Sequence, residues 1–73
     1  MNKAIYSQDH KNLVKKLKQA RIDAGLDQKE AAKLLGKTQS YVSKIESGQR
    51  RVDVVQLKSF AKIYKKNPEF FIS

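Results

Sequence analysis

The chain has no cysteine and no tryptophan, and only one proline, one histidine and three glycines among 73 residues. Without cysteine, neither a disulfide nor a thiolate metal site can stabilise it. A domain this small buries only about 60% of the surface that its unfolded chain exposes. Its stability must therefore come from closely packed elements, with dimerisation as a further source. A chain free of cysteine suits the reducing cytoplasm, which is its expected location. His10 has no cysteine or paired ligand nearby, so zinc binding and nucleophilic catalysis both lack their partners. It reads as a surface residue near a helix start. There is also no glycine-rich phosphate loop and no acid/base pair with a plausible pocket, so no enzyme, cofactor, metal or small-molecule ligand is expected. Wholly apolar stretches are as short as Phe70-Phe71-Ile72, and Met1 to Gln8 lacks an apolar run followed by a cleavage site. Neither a membrane span nor a signal peptide is expected.

Acidic residues are scarce as well, seven against sixteen Lys and Arg, which leaves a formal charge of +9. Such an excess on a small domain calls for a polyanion, nucleic acid first and an anionic membrane second. Lys11, Lys15, Lys16 and Lys18 form a basic stripe, which suits a solvated helix face better than a membrane-surface or calmodulin-target helix.

Apolar residues recur at helical spacing. Leu13, Val14, Leu17, Ala20 and Arg21 share one face of a first helix, Asp9 to Ala24, closed by Gly25. Asp27 and Glu30 make a capping box for a second helix, Gln28 to Leu35, closed by Gly36. Thr38 is an N-cap for a third, Gln39 to Ser47, before Gly48. Asp53 and Gln56 repeat the capping box, and Leu57, Phe60, Ala61 and Tyr64 mark helix four. Asn67-Pro68 opens a short fifth helix through Phe70 and Phe71. The only β-branched cluster, Val52 to Val55, contains an Asp better suited to a cap than to a strand. The reading is all-α, five short helices around one core, with residues 1–8 as a tail or arm and 9–73 as the domain.

Helices two and three, joined by a few residues, must cross sharply. Ala31, Ala32 and Leu35 face inward from one, Val42 and Ile45 from the other. That leaves Gln39, Ser40, Ser43, Lys44 and Ser47 pointing outward together, all able to hydrogen-bond. Such a face suits the major groove: Gln39 matches the N7 and N6 of adenine, Lys44 the O6 and N7 of guanine, and the serines adapt to either. The amide ends of both helices, near Gln28 and Gln39, favour phosphates. Arg50 and Arg51, with Lys37 and Gln49, add backbone contacts that carry affinity without sequence information. Tyr41 has two readings, contact with the DNA backbone or cover for the core edge. Phe70, Phe71 and Ile72 also have two, completing the monomer's core or pairing with a second copy.

The run Leu26-Asp27-Gln28, Ala31-Ala32, Leu35-Gly36 and Thr38 through Gly48 resembles the Xre/Cro family of phage repressors and bacterial regulators, over roughly Leu13 to Phe71. The resemblance implies a lambda-repressor-like fold with helices two and three as a helix-turn-helix, binding a two-fold symmetric operator in double-stranded DNA as a homodimer. It implies base reading by Gln39, Ser40 and Lys44, and phosphate contacts near Gln28, Ser47 and Gln49. It also implies an ion pair between Arg21 and Glu46. Three positions depart from the family pattern: Leu34 is often polar there, Lys37 often apolar, and Lys65 frequently a glycine that ends helix four. The expected function is a transcriptional regulator, a repressor, without chemistry of its own. An antitoxin or bridging adaptor acting through Phe70 and Phe71, or a nonspecific nucleic-acid binder, is the alternative that the same fold and charge allow.

Overall fold

The computed structural model describes residues 8–72, which fold into five helices with no strand among them. They are α1 (Gln8–Asp23), α2 (Gln28–Leu35), α3 (Gln39–Glu46), α4 (Val54–Tyr64) and α5 (Glu69–Ile72). Helix α1 begins one residue before the expected start, at Gln8; the rest of the expected tail lies outside the described residues. Helix α3 stops at Glu46, with Ser47 as its C-cap.

Two helices start in the same way. The Asp27 carboxylate accepts from Glu30 N at 2.7 Å while Glu30 accepts from Asp27 N at 2.9 Å. In α4 the Asp53 carboxylate accepts from Gln56 N at 2.8 Å and the Gln56 carbonyl from Asp53 N at 2.9 Å. Each box satisfies donors that a helix start would otherwise leave unpaired. They also end in the same way, with a left-handed residue that lets the next amide reach back to the final turn. At Gly36 (φ 70°) this brings Lys37 N to Ala32 O at 2.9 Å. At Lys65 (φ 57°) it brings Lys66 N to Ala61 O at 2.9 Å. Helix α4 thus stops at Tyr64 without the glycine that would have announced it, and Lys65 carries the strain of a side chain in left-handed backbone.

The core joins Leu17 and Ala20 of α1, Ala31 and Ala32 of α2, Val42 and Ile45 of α3, Leu57, Phe60, Ala61 and Tyr64 of α4, and Phe71 of α5. Ala31 and Ala32 present little side chain, so α2 packs close to α3. His10 corrects the sequence reading. It is buried, one turn before Val14 and in phase with Leu17 and Arg21, so it extends the inner face of α1. The C-terminal trio divides. Phe71 is 2% exposed and belongs to the monomer's own core, which leaves it no surface for the expected dimer contact. Phe70 is half-buried beneath the ammonium groups of Lys16 and Lys66, while Ile72 is 70% exposed.

Candidate nucleic-acid interface

Three inward residues, Tyr41, Val42 and Ile45, press α3 onto the core, and the Thr38 hydroxyl caps its start by accepting from Tyr41 N at 3.2 Å. With that side fixed, the 100° step of a helix turns Gln39, Ser40, Ser43 and Lys44 outward, and all four are exposed. Ser47, one turn on, is exposed too, and its hydroxyl donates to Lys44 O at 3.1 Å.

Each end of α3 is held by a different neighbour. At the C-terminal end Arg21 grips Glu46 with both arms, Nε to Oε2 at 2.7 Å and Nη2 to Oε1 at 3.1 Å. The third nitrogen of Arg21 donates to Leu26 O at 2.7 Å, and Gln28 Nε2 donates to Glu46 Oε1 at 3.2 Å. The two side chains are only 11% and 5% exposed, so the pair is desolvated. The hydrogen bond to Glu46 raises the Arg21 pKa further above its ordinary value, although burial pulls the other way. Tyr64 lies beside this pair. Its hydroxyl is buried with no hydrogen-bond partner among the described residues, and burial pushes its phenol well above the usual tyrosine range.

At the N-terminal end the Tyr41 ring lies parallel to Phe60, with centroids 6.4 Å apart, and its hydroxyl accepts from Gln56 Nε2 at 2.8 Å. Tyr41 is therefore a core-edge residue, with one face toward Phe60. Lys37 Nζ and the Arg50 guanidinium stand 5.5 Å and 4.9 Å from the ring centroid, within cation–π range. Gly36, Lys37, Thr38, Ser40, Tyr41, Lys44 and Arg50 enclose an open depression of about 480 Å³ beside α3. Three cationic side chains from the turn, from α3 and from the following loop thus share one concavity.

Gln49, Arg50 and Arg51 are exposed in the loop after α3, and Lys37 is exposed in the turn before it. Gln28 differs: it sits at the start of α2, half-buried, with its amide engaged by Glu46. The Gln56–Tyr41 bond was missed in the sequence reading, which assigned Gln56 to capping alone. A signal was present in the residue type. Glutamine at that place both accepts from the cap and donates elsewhere, whereas the glutamate at the matching place in α2 only accepts.

This fold and this face define a helix-turn-helix DNA-binding domain. The helix-turn-helix family model matches residues 17–71. An Xre-family-like protein from Pseudomonas syringae pv. tomato superposes with a TM-score of 0.82 at 39% identity, covering 92% of this chain and 82% of that one. The restriction-modification controller protein C.AhdI from Aeromonas hydrophila gives a TM-score of 0.75 at 32% identity, covering 89% and 99%. No curated protein sequence matches the chain significantly. The chain belongs to the Xre family of helix-turn-helix proteins, and is a DNA-binding regulator of double-stranded DNA. Among the described residues no helix is long and apolar enough to cross a membrane.

Proposed function

We propose that this regulator is a cytoplasmic repressor that inserts the start of α3 into the major groove of a two-fold symmetric operator, one copy on each half-site. The observation that carries the reading is the exposed Gln39-Ser40-Ser43-Lys44 face on a helix fixed at both ends. A rigid helix delivers hydrogen-bonding groups to base edges without ordering them first. Gln39 and Lys44 read bases, while Ser40 and Ser43 adapt to their neighbours. Lys37, Arg50 and Arg51 grip phosphates, with Gln49, Ser47 and the amide end of α2 at Gln28 beside them. The likeness to a controller protein supports a regulatory role. Exposed Ile72 and half-buried Phe70 are the apolar groups that α5 leaves for a second copy.

Selecting bound duplexes from a random pool and footprinting the winners tests this directly. The expected result is a two-fold repeat with half-site centres about 34–36 Å apart; a footprint with no such repeat overturns it. Gln39→Ala should cost about 1–3 kcal/mol and relax preference at one base position. Arg50→Ala should weaken all sequences alike and flatten the salt dependence. Exchanged outcomes for these two variants would reverse the assigned roles.

A further inference from the structure

A groove of about 490 Å³ lies between α2 and α4, lined by Leu34, Leu35, Ser59, Lys62, Ile63 and Lys65. It shares no residue with the depressions beside α3, and continues past Leu34, Ile63 and Lys65 to Leu26 and to Asp23, whose carboxylate pairs with Lys66 at 3.7 Å and leaves Lys62 and Lys65 as the groove's cations. Leu34 is 59% exposed, and Leu26, Leu35 and Ile63 are only half-buried, so the groove leaves contiguous apolar surface in water.

Lys65 supplies a second, independent observation. It is the one non-glycine residue with positive φ among the described residues, and it stands in the wall of this groove. A glycine would adopt that backbone without strain. An ammonium group is held here at a conformational cost, which points to a use for the charge.

The occupant follows from shape and sign. A second copy docked groove to groove would set Lys62 and Lys65 against their own counterparts. A duplex offers no apolar ridge to fill a groove of leucine and isoleucine, and a lipid surface is flat where this one is concave. A helix with an apolar stripe fits a groove of this kind, and carboxylates beside the stripe complement Lys62 and Lys65. We propose that the α2–α4 groove docks an amphipathic helix of a partner protein whose leucine-type side chains are flanked by Asp and Glu. The proposal does not rest on the operator reading, and it places the contact with a partner protein in this groove while the exposed groups of α5 stay open to a second copy.

A display library of random helical peptides panned against the full chain tests it, with enriched peptides synthesised, titrated by fluorescence anisotropy and mapped by amide chemical shifts. The expected winners carry apolar residues at i, i+4 and i+7 with acidic neighbours, and perturb Leu34, Ile63 and Lys65. Leu34→Gln should weaken them at least tenfold and Lys65→Gly several-fold, while affinity for duplexes selected from a random pool stays unchanged. Lys65→Gly relieves strain, so its loss of binding cannot be a loss of fold. The proposal is overturned if no peptide is enriched, if the winners lack carboxylates, or if they ignore both variants. It is equally overturned if the groove resonances respond to protein concentration or to phosphatidylglycerol vesicles but to no peptide.

Discussion

Both ends of α3 are tied to the rest of the domain, but with opposite chemistry. Its C-terminal end is held by a desolvated ion pair, Arg21 to Glu46, braced by Gln28. Its N-terminal end, proposed above to read bases, is held by a neutral bond from Gln56 to Tyr41 and by a ring stacked on Phe60. The neutral tie leaves the nearby cations, Lys37 and Arg50, uncancelled by any carboxylate of the clamp and facing a concavity. A carboxylate there would offset the charge that the proposed phosphate contacts use. The acid is kept at the other end, where its field is spent on a guanidinium.

If this division is right, breaking the charged end must cost far more than breaking the neutral one. Glu46→Ala strands the Arg21 cation in a desolvated place, and should remove about 3–5 kcal/mol of unfolding free energy, read by chemical denaturation. Glu46→Gln keeps an acceptor and should lose less. The buried phenol of Tyr64, beside the same pair, sharpens the contrast through pH. Its folded pKa lies above the ordinary value of 10.0, so the unfolded chain releases this proton first as pH rises. The group therefore leaves stability unchanged below about pH 10 and removes up to about 1.4 kcal/mol per pH unit above it. Tyr64→Phe should flatten that part of the alkaline loss relative to the parent. At neutral pH it should be neutral or stabilising, since the lost hydroxyl has no hydrogen-bond partner among the described residues.

The sequence showed one end of α3 more readily than the other, for physical reasons. Capping boxes, glycine stops and the 3.6-residue period are local, so helices α2 and α3 were legible almost to the residue. The Arg21–Glu46 pair spans 25 positions and came only from the family resemblance. The Gln56–Tyr41 tie spans 15 positions and has no periodic signal, so the sequence allows Tyr41 two readings, and the Phe60 ring parallel to it decides for the core edge. His10 was misplaced by residue type: a polar residue at a helix start defaults to the surface, although its spacing to Val14 and Leu17 already put it on the inner face. The polar face of α3 was legible because burial of Val42 and Ile45 leaves it nowhere else to point.

Breaking the neutral end should cost little. Tyr41→Phe keeps the ring on Phe60 and under Lys37 and Arg50, and removes only the acceptor of Gln56 Nε2. The expected loss is about 0.5–1.5 kcal/mol in denaturation. Salt-dependent binding to random DNA should be unchanged, because the cations stay where they are. A loss as large as that of Glu46→Ala would mean that the two ends are not different in kind.

The smallest effect lies at the far end of the helix that supplies Gln56. Lys65 stops α4 in left-handed backbone, as Gly36 stops α2, but with a Cβ that costs about 1–2 kcal/mol there. Lys65→Gly removes that cost and adds glycine's larger unfolded entropy, about 0.5–1 kcal/mol. The net gain should be about 0.5–1 kcal/mol, seen as a higher denaturation midpoint with an unchanged slope. Lys65 and Tyr41 share no partner, so the gain should add to the Tyr41→Phe loss without a coupling term. Non-additivity between them would show that the stop of α4 and its grip on α3 form one cooperative unit, and that the neutral tie extends along the whole helix.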